Sequence, residues 1–131
     1  VRLFDLGTRE RASAPPKVRT ALPVLDDERF LAISAGDAEL GRELSEKLVE
    51  NLEARARELW SNRRDLSRVA KVSHALRGIA LNFGATRLAA SSHALELVAR
   101  AGCAFDEDVA VVVEEVERVR AVVAERQDAH P

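Results

Sequence analysis

The chain has 131 residues, 47% apolar and 32% charged: enough for one domain with its own core, and too apolar for a disordered segment. A net charge of −2 offers no overall basic surface for nucleic acid. A single cysteine excludes an intrachain disulfide or a cysteine-rich metal site, and no apolar run approaches membrane-spanning length.

The lone cysteine fits a reducing cytoplasm, and no secretory apolar region is present. Val1 stands where an initiating Met would, which reads as a piece cut from a longer polypeptide. With four Phe, one Trp and no Tyr, the core must come from Leu, Val, Ala and Ile, a composition suited to packed helices.

Residues 1–24 contain Pro15, Pro16 and Pro23 and read as a linker or flexible N-terminal arm. From Leu25 the pattern is helical. A short first helix is predicted over 25–36, with Asp26 as N-cap and Gly36 as stop. Asp37 caps a second helix, in which Leu40, Leu44, Leu48, Leu52 and Leu59 recur at three- to four-residue spacing, ending near Trp60. Asp65 caps a third helix running to Phe83, which Gly84 interrupts. A fourth carries Leu88, Ser92, Leu95 and Val98 or Ala99 on one face. Asp106 is expected to cap a fifth, where Val109, Val112, Val116, Val119 and Val123 keep helical spacing despite their β-branching.

Each helix has one apolar stripe to bury, and the connections are short. The pattern predicts an all-α, antiparallel up-and-down four-helix bundle with a short extra N-terminal helix. The bundle spans 25–127, and residues 128–131 form a C-terminal tail. Charge is unevenly spread. Residues 55–77 set seven cations against Glu58 and Asp65, a net of +5, while residues 104–128 set eight acids against three arginines, a net of −5. Most of these charges read as solvated helix faces, but the first run places positive potential around the third helix.

That helix contains His74-Ala75-Leu76-Arg77-Gly78. At about 100° per residue, Leu66, Val69, Val72, Leu76, Ile79, Ala80 and Phe83 lie broadly opposite His74, so the histidine is expected to face solvent. Its neighbours are Ala70 and Gly78 one turn away, Lys71 and Arg77 to the sides, and Ser67 and Leu81 two turns away. Glycine costs a helix interior roughly 1 kcal/mol relative to alanine, so its place beside the ring asks for a reason.

A general base needs a pocket and an orienting partner, and a convex helix surface supplies neither. A zinc site needs several ligands, and His93 and His130 are remote in sequence. A nucleophile that hands a group to another protein needs exposure, room and nearby cations. Imidazole is largely neutral at pH 7 with a free lone pair, and phosphoryl transfer is mostly positioning and electrostatics. On this reading Gly78 removes bulk that would obstruct the phosphoryl group or the visiting protein. The competing reading is an exposed histidine without a task beside a packing glycine.

At these residues the sequence resembles the histidine phosphotransfer (HPt) domains of bacterial phosphorelays, whose pattern is His-x-Leu-Lys-Gly, Gly-Ala some ten residues on, then Leu and Leu-Glu. Here it reads His74-Ala-Leu76-Arg77-Gly78, Gly84-Ala85, Leu88 and Leu95-Glu96. The resemblance implies a phosphorelay intermediate. His74 would be the phosphoacceptor, through Nε2, taking a phosphoryl group from a receiver-domain aspartate and passing it to another receiver. Arg77 takes the place of the usual lysine, bulkier and planar, and Gly78 is the clearance glycine. It further implies no cofactor or nucleotide site on this chain, Mg²⁺ held by the receiver, response-regulator receiver domains and a sensor histidine kinase as partners, no nucleic-acid or membrane partner, a cytoplasmic location and a monomer. Docking is expected on Ser67, Ala70, Lys71 and Leu81, with Arg68 on the rim.

Three alternatives stand beside it. The segment resembles the H-box of dimerising histidine-kinase domains, with Ala75, Gly78 and Ile79 replacing that motif's acid, threonine and proline. The phosphoacceptor domain of chemotaxis kinases shares the bundle. A non-catalytic helical adaptor would differ only at the His74 face. Elsewhere, Trp60 is expected to close the bundle's far end, Cys103 to pack, Glu96 to pair with an arginine, and Asn82 to make a local backbone bond. His93 reads as structural or simply exposed.

Overall fold

The computed structural model describes residues 22–34 and 36–129. Residues 1–21 of the expected arm and 130–131 of the tail lie outside the described residues. Among the described residues five α-helices follow in order: α1 (Asp27–Ser34), α2 (Ala38–Ser61), α3 (Leu66–Phe83), α4 (Thr86–Arg100) and α5 (Asp106–Ala129).

Local chemistry explains the boundaries. A helix start leaves backbone N–H groups without partners, and a carboxylate one step before it can accept from them. The carboxylates of Asp26, Asp37 and Asp65 do so, from the N–H groups of Arg29 (3.2 Å), Leu40 (3.0 Å) and Arg68 (3.2 Å). Gly84 ends α3 in the left-handed region at φ 79°, where a Cβ is unfavourable. The start of α5 departs from expectation. Asp106 is its first helical residue, and Asp108 is the group that reaches back, accepting from the Phe105 N–H at 2.8 Å. This is the third-position half of a capping box. The Asp106 carboxylate instead faces Arg63 and Arg64 at 3.5 and 3.4 Å.

The helices α2, α3, α4 and α5 each pack on the next, and α5 returns to α2, closing a four-helix ring; α1 lies against α2 and α3. The short connections between them require antiparallel neighbours. All five valines picked out on α5 are buried, as are Leu48, Leu52 and Leu59 of α2. The valines' packing outweighs their modest helix propensity.

Residues 22–26 are drawn onto the α3–α4 corner. The Asp26 N–H donates to the Gly84 carbonyl at 2.7 Å, the Arg87 N–H donates to the Pro23 carbonyl at 3.2 Å, and Leu25 is buried. The body therefore takes in Pro23 and Val24, the last residues of the segment read as an arm. At its other end α5 continues past 127 to Ala129.

Two side-chain expectations are corrected. Trp60 is 43% exposed and lies on the outside of α2, where the Arg63 guanidinium covers its ring at 4.3 Å. Cys103 is exposed in the turn after α4, not packed. One buried group was not anticipated: Glu115 of α5 is fully buried, with Arg87 of α4 and Arg118 donating to its Oε2 at 2.9 and 3.1 Å. No helix among the described residues is long and apolar enough to cross a membrane.

Candidate functional site

Site geometry begins with how α3 is rolled against its neighbours. Val69, Val72, Leu76 and Ala80 are buried, and Leu66, Ile79 and Phe83 are half-buried. Ala70 and Ser73 are buried as well, because α4 covers that flank of α3 more extensively than any other helix pair is covered. Ala70 is therefore a core residue and not part of an exposed docking face. The solvent-facing strip runs through Ser67, Lys71, His74, Gly78 and Leu81. Arg77 lies at the α4 edge of the strip and is half-buried.

His74 projects from this strip with 67% of its side chain exposed. A Cβ built on Gly78 would meet nothing within 4 Å. Among the described residues no neighbouring group requires the glycine. The space one turn from the ring is open.

The ring is held from the neighbouring helix. His74 Nδ1 lies 3.2 Å from both carboxylate oxygens of Glu96 on α4. Arg100, one turn further along α4, donates to Glu96 Oε2 from Nε at 2.9 Å, and its Nη2 is ion-paired with the same oxygen at 2.8 Å. Only 9% of the Glu96 side chain is exposed. Burial pushes the carboxyl's pKa up, but the hydrogen bonds from Arg100 and His74, with the charges of both, more than offset it and leave the group below its ordinary value. Glu96 is thus an anion, and an anion can only accept at Nδ1. In the neutral imidazole this arrangement sets the proton on Nδ1 and leaves the lone pair on Nε2.

The expectation that a helix surface offers no orienting partner is therefore corrected, since the partner comes from α4. Its pairing with a nearby arginine was legible in the sequence from the four-residue spacing to Arg100. Its contact with His74 was not, because it crosses a helix–turn–helix and depends on the roll of both helices.

The positive run around α3 is partly neutralised within the chain. Glu58 takes Arg55 at 3.2 Å and Arg68 at 3.0 Å, and Asp106 takes Arg63 and Arg64. A shallow groove between α2 and α3 remains beside the strip, rimmed by Arg55, Glu58, Arg68 and Lys71 over Val72 and Ala75. Asn82 is exposed and His93 half-buried, the latter with a buried Nδ1 that has no hydrogen-bond partner among the described residues.

A model of the Hpt domain family matches residues 39–129, well over half of the chain. Comparison with curated proteins and with solved structures finds no match.

Proposed function

The chain belongs to the Hpt domain family, the histidine-containing phosphotransfer domains of two-component signalling, and from that premise we propose that His74 is its phosphoacceptor in a relay between receiver domains. In the forward step the Nε2 lone pair attacks the phosphorus of a receiver's aspartyl phosphate. The N–P bond forms as the bond from phosphorus to the aspartate oxygen breaks, and its electron pair returns to the aspartate carboxylate. Passage to a second receiver reverses these events on a new carboxylate.

The attack leaves positive charge on the imidazole, shared with Nδ1–H. The Glu96 carboxylate, 3.2 Å from Nδ1, lies where that charge develops. Exposed Lys71 and half-buried Arg77 are the cations on hand for the phosphoryl oxygens. Open space beyond Gly78 admits the visiting domain, and Ser67, Lys71 and Leu81 supply its seat, with half of Leu81 exposed as an apolar contact. The Mg²⁺ that assists the transfer belongs to the receiver, the chain acts as a monomer, and the exchange takes place in the cytoplasm.

The single observation carrying this reading is an outward imidazole whose Nδ1 is committed to a buried carboxylate. Incubation with a phosphorylated receiver should place acid-labile, base-stable phosphate on the wild type and none on His74→Gln. Equal labelling of the two would leave a helical adaptor as the better description.

A further inference from the structure

We propose that Arg100 is a positioning residue for His74, acting through Glu96 and not on the phosphoryl group itself. Both of its contacts fall on one oxygen: Nε–H donates to Glu96 Oε2 at 2.9 Å, and Nη2 is ion-paired with the same oxygen at 2.8 Å. The same carboxylate meets His74 Nδ1, which lies 3.2 Å from Oε1 and from Oε2 alike. The Nε–H bond and the guanidinium charge anchor the carboxylate on one side, and so hold its oxygens against the ring on the other.

The need for such a clamp follows from burial. Glu96 is a nearly buried carboxylate whose other partner is an exposed imidazole, and a buried anion without a charged partner is costly. Deprived of Arg100, it has two escapes. It can swing to water and release the ring. Or it can take a proton, and a protonated carboxyl donates to Nδ1 instead of accepting from it. In both cases the imidazole proton moves toward Nε2, the position a free histidine side chain prefers, and the nucleophilic lone pair is lost from the outward nitrogen. Arg100 holds off both escapes. Its placement is favoured twice over, as the later partner of an i, i+4 acid–base pair and as a cation in the last turn of α4.

The proposal rests on His74 as phosphoacceptor, but its first readout does not. Nitrogen NMR of the unphosphorylated full chain near neutral pH reports the ring tautomer directly. The wild type should be mainly Nδ1–H, Arg100→Ala should shift toward Nε2–H, and Arg100→Lys should recover part of the difference. Thermal melts of each variant confirm that the bundle is intact. The second readout is phosphorylation by phosphoramidate, a small donor that needs no docking. Its P–N bond breaks, ammonia leaves and the N–P bond forms on the ring. Arg100→Ala should slow this about tenfold, the scale on which an orienting partner of a functional imidazole acts. In a Glu96→Gln background the same change should add nothing.

An unchanged tautomer in Arg100→Ala would overturn the proposal. So would an equal slowing with and without Glu96, which would place Arg100 on the phosphoryl group. If His74 accepts phosphate from no donor, the relay reading falls, while the tautomer comparison still decides whether Arg100 governs the ring.

Discussion

Gly78 and Glu96 make opposite kinds of contribution at the residue scale, one by omission and one by contact. A side chain at 78 would meet open space, so Gly78→Ala should stabilise the fold by roughly 0.5–1 kcal/mol through helix propensity alone. Gly78→Leu should also fold, yet lose transfer from a receiver while still reacting with phosphoramidate; normal receiver transfer in that variant would contradict the clearance role. Glu96 should tie stability to pH. Its folded pKa lies below the ordinary value, so its stabilisation is complete above the unfolded value and is lost as pH falls through the folded one. Glu96→Gln should therefore melt below the wild type near neutrality, by about 1 kcal/mol given its solvent-exposed partners. The gap should close on titration into the acid range below that of an ordinary glutamate. A gap that widens there would reverse the sign.

At the scale of the elements, α4 has two different edges. One holds His74 through Glu96, and the other is fixed to α5 by Arg87 on the buried Glu115. Removing Glu115 alone strands the mostly buried Arg87 guanidinium, so Glu115→Ala should cost about 3 kcal/mol in urea unfolding. The paired change Glu115→Leu with Arg87→Met should be close to neutral, since neither charge is left uncompensated. The helices themselves were largely legible in the sequence: Asp37, Asp65 and Gly84 mark boundaries by local hydrogen bonding and backbone geometry, and the α5 valines mark a buried face by spacing. Ala70 shows the limit of that reading. Periodicity gives the order of residues around a helix but not how far a neighbour wraps it, and α4 wraps α3 far enough to bury Ala70 and to bring Glu96 to the ring. Asp106 shows another limit, since two acids two residues apart both suit a helix start and only the backbone decides which one caps.

Over the whole molecule, four helices of one chain close a ring among the described residues without a second chain. The protein should therefore run as a monomer by light scattering, and a stable homodimer would favour the kinase reading. Closure within one chain also explains how the imidazole is held from the next helix while its outer side stays open. On the proposed reading this arrangement offers Nε2 of His74, with Nδ1 retained by Glu96, to incoming phosphorus. The most direct test is phosphorus–nitrogen correlation by NMR on nitrogen-labelled protein phosphorylated by a receiver. One phosphorus bonded to Nε2 of His74, with a proton still on Nδ1, is expected. Phosphorus on Nδ1, or on any other residue, would contradict it.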